Sequence, residues 1–390
     1  MTTVSAATTA AELLAGYRPG NSSLFASPSG TLLAEGTYFA VPPSGRRDGL
    51  ADLAHRVDAV LGVAEAAGHE VRTVVGAVPF APDAAAHLVV PMRLRRGGPP
   101  AAFAEPTGGL VKEIRPVPEP ERYAAAVAEA VRQIRAGRYT KVVLARSLRA
   151  EAPGFDPAPV VRALAGREPN GYTFGVDLGG GRTLFGASPE LLVARRGTRV
   201  TANPLAGSAA RSDDPAEDER RAAALLRSEK DRHEHAVVAS AVADALRPYC
   251  SKLTVPAEPS LVRTATMWHL STLVTGVVAD PAVSALRLAT ALHPTPAVCG
   301  TPTAAARAAI SELEPFDRGF YTGMVGWVDA SGDGEWAVTI RCATADDDGL
   351  DLFAGAGVVA GSDPRAELAE TTAKLGTMLA ALGLEESDVA

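Results

Sequence analysis

A chain of 390 residues can bury a sizeable core, and 47% hydrophobic with 21% charged residues excludes the composition of a disordered chain. The net charge of −7 comes from 45 acidic residues mixed among 38 basic ones, which gives no reason to seek nucleic acid or anionic lipid but leaves room for a local anion-binding cleft. Cys250, Cys299 and Cys342 lie far apart without CxxC spacing, and the N-terminus has no basic start before an apolar core, so the expectation is a cytoplasmic chain with no disulfide framework, zinc site or membrane span.

Up to residue 115 the chain is rich in Ala, Gly and Pro, with strands expected at 30–35, 71–78 and 86–92 and a helix over 49–60. A second helix opens at Pro118-Glu-Pro-Glu121, where proline and acidic residues suit a first turn, and ends at Ala136-Gly137. Tyr139 to Leu148 reads as a strand on which Lys141, Val143 and Ala145 share one face. Strands follow at 172–176, 183–186 and 190–194. One long helix is expected from Glu217 to Leu246, stopped by Pro248. Strand character returns at 261–265 and 269–278, residues 304–313 are helical, and 321–328 pairs with 335–342 around Ser331-Gly-Asp-Gly334. The apolar run 350–354 leads into a glycine-rich loop, Gly355 to Gly361, and a last helix starts at Asp363-Pro364. Helices and strands mix without a βαβ rhythm, which makes the class α+β.

Asp231 and Glu234 lie three apart on the long helix, and Glu367 and Glu370 three apart on the last one, so each pair shares a helical face. Facing each other, the pairs would offer four hard oxygen donors, the ligand type magnesium prefers; either pair alone is more often a solvated face. Lys374 shares the face of Glu367 and Glu370. His233 and His235 flank Glu234 but point away from each other on a helix, which disfavours zinc. The run Gly355-Ala-Gly-Val-Val-Ala-Gly361 lacks the dinucleotide-binding spacing, and its pattern leaves open a tight turn or a close backbone approach to an anion.

In order along residues 116–385 stand Thr140-Lys-Val-Val-Leu-Ala-Arg146, Phe185-Gly-Ala-Ser-Pro-Glu190, Pro204-Leu-Ala-Gly-Ser208, Ser228-Glu-Lys-Asp-Arg-His-Glu-His235, Trp268-His-Leu270, Leu292-His-Pro-Thr-Pro-Ala297, Glu312-Leu-Glu-Pro-Phe-Asp317, Gly334-Glu-Trp-Ala-Val-Thr-Ile-Arg341 and Phe353-Ala-Gly-Ala-Gly357. This ordered set resembles the chorismate-utilising enzymes, and within them the short isochorismate synthases of catecholate siderophore pathways. Residues 1–115 match loosely. The resemblance implies one domain over 1–390, with two stacked, mainly antiparallel sheets, outer helices and a chorismate-binding catalytic region at 116–385. It implies Lys141 as the base that activates water and Glu190 as the acid that protonates the departing hydroxyl. Glu234 and Glu370, with Asp231 and Glu367 beside them, would hold Mg2+. Arg341, Lys374, Gly207, Ser208, Gly355 and Gly357 would hold the substrate's carboxylates, with His269 near the ring and Ala297 on the pocket wall. A monomer that binds chorismate, with no nucleic-acid or membrane partner, is implied as well.

An amine with a reference pKa near 10.4 and a carboxyl near 4.3 would be in the wrong protonation states for these roles in water, so the pair needs an enclosed pocket. A lysine at 141 resembles the water-using members and differs from the anthranilate-forming ones. Aminodeoxychorismate synthases carry their lysine where this chain has Ala206, and salicylate synthases carry threonine where it has Ala297. The expected reaction is therefore isomerisation of chorismate to isochorismate. A salicylate synthase, another chorismate-utilising lyase, or a non-catalytic anion binder of the same fold are the alternatives.

Overall fold

The computed structural model describes residues 8–45, 49–103, 111 and 113–384. Antiparallel pairings lead from Lys141–Glu151 through Gly349–Val358, Cys342–Ala345, Arg182–Ser188 and Tyr172–Gly179 to Ser22–Ser27 and Gly30–Ala40. They continue through His87–Gly97, Thr73–Val78, Met324–Asp329, Gly334–Val338, Leu191–Arg196 and Arg199–Asn203 to Val274–Val278 and Cys250–Thr254. Glu113–Val117 and Gly300–Thr301 join the other edge of Lys141–Glu151, which makes 17 strands among the described residues. A separate sheet of 3 strands contains Leu205–Ala210, Met267–Ser271 and Ser260–Arg263.

The large sheet folds back on itself because its inward faces are apolar. Phe174, Leu184, Ala145 and Phe353 from one half pack with Val75, Val325, Trp327 and Ala337 from the other. Phe174 on an inward face and Phe185 on an outer one have 0% exposure, and burial of each contributes about 1.5–3 kcal/mol. The α+β class with two facing antiparallel layers thus holds, the layers being halves of one continuous sheet. Helices Ala10–Gly16, Ala158–Arg167 and Pro364–Leu382 cover one outer face, and Leu53–Ala66, Glu229–Leu246 and Ala285–Leu292 the other. Pro120–Arg135 and Thr303–Leu313 pack on Val142 and Leu144. Among the described residues, no helix is long and apolar enough to cross a membrane.

Several local expectations are corrected. The long helix is two, Pro215–Arg227 and Glu229–Leu246, because Ser228 leaves helical geometry and its hydroxyl accepts from Asp231 N at 3.2 Å. Ser228-Glu-Lys-Asp231 is a capping pattern, so Asp231 lies in a first turn, where a carboxylate suits the helix dipole. The stretch 269–278 divides between two sheets, as Met267–Ser271 and Val274–Val278. Gly355 and Gly357 stand inside the strand Gly349–Val358 rather than in a loop. Arg341 and Glu190 fall outside the strands expected to carry them, in the connections before Cys342–Ala345 and Leu191–Arg196.

Candidate active site

One cavity gathers Glu190, Gly207, Ser208, Asp231, Glu234, His269, Ala297, Arg341, Gly355, Gly357, Glu367, Glu370 and Lys374 in its wall. Those residues come from both sheets and from the two acid-bearing helices. The two carboxylate pairs therefore do face a common space, as the helical spacing of each requires. His233 is exposed and His235 is buried, its Nε2 2.7 Å from Thr272 Oγ1, so the two rings diverge and no zinc pair forms.

Lys141 lies directly behind this wall. It is 4% exposed, and its Nζ is 2.7 Å from Glu234 Oε1, so Glu234 stands between the amine and the open cavity. Burial pushes the Glu234 carboxyl up, but the adjacent Lys141 and the nearby Lys374 and Lys230 hold it below its ordinary value. Gly357 makes room for the pair: a methyl group there would lie 2.6 Å from Glu234 Oε1 and 3.1 Å from Lys141 Cε. Gly357→Ala should therefore push these side chains apart while leaving the strand intact. Turnover is expected to fall about tenfold to a hundredfold with an unchanged circular dichroism spectrum, the range for a misplaced reacting group. A variant as active as wild type would show that this close approach is unnecessary.

Glu190 lines the same cavity, with its backbone fixed at both ends. Its N–H donates to Ser188 Oγ at 3.2 Å and its carbonyl accepts from Val338 N at 3.1 Å. Burial raises its carboxyl to about 7, against the lowering effect of the Leu205 N–H, Lys141, Arg341 and Lys374. An acid poised there can give up a proton near neutrality, which an exposed glutamate cannot. His269 is buried, its Nε2 has no hydrogen-bond partner among the described residues, and desolvation beside Arg341 and Lys374 holds its pKa well below the ordinary value. It is thus a neutral imidazole, suited to hydrogen bonding with a substrate group.

Arg341 is 7% exposed in a left-handed conformation, φ 52°, and among the described residues no carboxylate pairs with its guanidinium. A buried cation without a partner is suited to an incoming anion. Lys374 donates to Gly355 O at 3.0 Å and is 2.6 Å from Glu370 Oε1. Sequence reasoning missed Tyr321, Thr322 and Lys230, which also line the cavity. The Tyr321 hydroxyl is raised by burial, and a methyl group on Gly355 would lie 2.8 Å from it. Lys230, adjacent to Asp231, approaches Glu367 to 3.8 Å and was legible as a neighbour of the acidic pair.

The donor set fits a hard divalent cation. Burial raises the carboxyls of Asp231 and Glu367, and the charges of Glu234 and Glu370 on Asp231, and of Glu370 on Glu367, raise them further. Asp231 and Glu367 are thus the acids short of positive charge, while Glu234 and Glu370 are paired with Lys141 and Lys374, and oxygen-only donors suit magnesium. In the present side-chain arrangement Glu234 and Glu370 are turned to lysines, and no three His, Cys, Asp or Glu among the described residues converge as metal ligands.

Residues 102–383 match the family profile described as "Chorismate binding enzyme". The chain belongs to this chorismate-binding enzyme family. It is 52% identical over 388 residues to isochorismate synthase DhbC of Bacillus subtilis, covering 97% of both chains. It is 45% identical over 320 residues to the vibriobactin-specific isochorismate synthase of Vibrio cholerae, covering 80% of both. Among solved structures, that of a putative 2,3-dihydroxybenzoate-specific isochorismate synthase, DhbC from Bacillus anthracis, superposes with a TM-score of 0.91 at 50% identity, covering 96% of this chain and 100% of that one. The cavity lies within the stretch matched to the chorismate-binding profile, since its lining residues run from Val143 to Lys374.

Proposed function

We propose that this protein is a magnesium-dependent isochorismate synthase that supplies a siderophore pathway, acting as a cytoplasmic monomer. One observation carries the reading: a buried carboxyl raised to about 7, Glu190, shares a cation-rich cavity with Glu234, against whose back the Lys141 amine is packed. The relatives of known name support the choice of substrate and pathway.

Chorismate carries two carboxylates on and beside a ring, and Arg341 and Lys374 are the cations that would hold them. His269 and the backbone around Gly207 and Ser208 orient the ring. Lys141 takes a proton from water while the water oxygen bonds to ring C2. The ring double bonds shift, the C4–O bond breaks, and Glu190 passes its proton to the departing hydroxyl, which leaves as water. The net change is an isomerisation. Glu234 and Glu370, with Asp231 and Glu367 beside them, are the residues that would hold magnesium. Bound there, the ion would supply positive charge toward a substrate carboxylate and compete with Lys141 for Glu234.

Incubating the purified protein with chorismate, with and without magnesium, and identifying the product by chromatography tests this directly. Isochorismate only in the presence of the ion is the expected result; unchanged chorismate under both conditions overturns it. Ala297 lines the cavity where salicylate-forming relatives are expected to have threonine. Ala297→Thr should therefore begin to release pyruvate, measured with coupled lactate dehydrogenase. Absence of pyruvate would remove this residue as the discriminator.

A further inference from the structure

The strand Lys141–Glu151 is bonded along one edge to Gly349–Val358 from Val142 to its end. On its other edge, strand partners stop at Val142 and resume only at Ser147. Backbone groups left in such a gap, inside the protein, must find other partners. The Cys299 carbonyl supplies one, accepting from Val143 N at 2.8 Å, and side chains supply others. Arg318 donates to Val143 O at 2.7 Å, and Glu314 accepts from Ala145 N at 2.8 Å. The two side chains are 2% and 3% exposed and also pair with each other, Arg318 Nε donating to Glu314 Oε2 at 2.8 Å.

The same guanidinium reaches two more segments. It donates to Val298 O at 2.9 Å, next to Ala297, and to Thr322 Oγ1 at 3.2 Å, next to Tyr321. Thr322 has φ 60°, a conformation that a β-branched residue holds only when its surroundings enforce it. Its hydroxyl donates to Tyr321 O at 2.6 Å and its N–H to Thr339 O at 2.7 Å. Val143, Val298 and Thr322 all line the cavity, while Arg318 and Glu314 stand behind it.

We propose that the Arg318–Glu314 pair is a positioning device for the reaction. One buried guanidinium fixes the spacing among the strand that carries Lys141, the loop that carries Ala297 and the turn that carries Tyr321. The planar fork with five donors is the essential property, because a lysine ammonium, with three, could not pair with Glu314 and also reach three further acceptors. The kinetic consequence rests on the isochorismate synthase reading; the structural one does not.

The experiment compares wild type with Arg318→Lys, which keeps the charge, and with Thr322→Val, which keeps the shape; Thr322→Ser is the rescue. Both test variants should stay folded, with kcat for chorismate lowered about tenfold or more and KM changed less than about threefold, while Thr322→Ser recovers most of the rate. Amide exchange should quicken in 143–145, 298–299 and 321–323 and nowhere else. If Arg318→Lys does not fold, the Thr322 pair decides alone. Wild-type kcat in a folded test variant, or exchange quickened throughout the chain, overturns the proposal. Should wild type itself make no isochorismate, that reading fails separately. The pair is then judged by exchange alone, which should quicken in those three stretches and nowhere else.

Discussion

Glu190→Gln will lower isochorismate formation by about 10²–10⁴-fold and at the same time make the folded protein more stable above neutrality. The first effect follows from losing the proton donor. The second follows from burial, which lifts the Glu190 carboxyl from 4.5 to about 7 in the folded chain. Below pH 4.5 both states hold the proton and the raised value carries no penalty. Between 4.5 and 7 the unfolded chain releases the proton while the folded one retains it, so this contribution to stability is lost as pH rises through the folded value. By pH 8 the loss amounts to about 3 kcal/mol, and glutamine, which never ionises, escapes it. Denaturant midpoints of both proteins at pH 5 and pH 8 measure the difference. A stability gap that does not widen with pH, or a rate close to wild type, would sink the role given to Glu190. The same ionisation predicts that wild-type activity declines on the alkaline side of about pH 7, because the acid must be protonated to act.

Lys141→Ala is expected to abolish turnover to a similar extent and, in contrast, to destabilise the fold by about 3–5 kcal/mol. The Lys141 and Glu234 side chains are 5% and 14% exposed, so removing the amine strands a carboxylate among Lys374, Lys230 and the backbone of Gly357. Lys141 is what depresses the Glu234 carboxyl in the intact site, so the penalty is present above the carboxylate range and fades as acid protonates Glu234. Lys141→Ala with Glu234→Gln separates the two consequences: most of the stability should return while the rate should not. Thermal melts of the single and double variants at pH 5 and 7.5, alongside rates, provide the check. Recovery of activity in the double variant would mean that Lys141 only neutralises Glu234 and moves no proton.

What the sequence discloses, and what it hides, follows the range of the interaction. Asp231 with Glu234, and Glu367 with Glu370, are legible because helical periodicity alone fixes which side chains share a face. The break at Ser228 is masked by the helix-favouring content of Glu217 to Leu246, although Ser228-Glu-Lys-Asp231 carries the cap in plain view. Gly355 and Gly357 suggest a loop because glycine weakens a strand. What demands glycine there is contact with Tyr321 and Glu234, which comes from elsewhere in the chain. Arg318 and Glu314 carry no local signal for their task, since their backbone partners Val143 and Ala145 lie far back in sequence. Likewise the raised carboxyl of Glu190 arises from enclosure by several elements, and no spacing encodes it.

The four strands Ser22–Ser27, Gly30–Ala40, His87–Gly97 and Thr73–Val78 form the seam through which one layer of the sheet becomes the other. All of them precede residue 102, where the match to the family profile begins. Trimmed to the matched span, the chain would bare one edge of Tyr172–Gly179 and one of Met324–Asp329, each a row of backbone donors and acceptors open to strand addition by another copy. The stretch that lines the cavity is thus chained to one whose described residues lie outside it, and separating them would yield self-associating material in place of the folded chain.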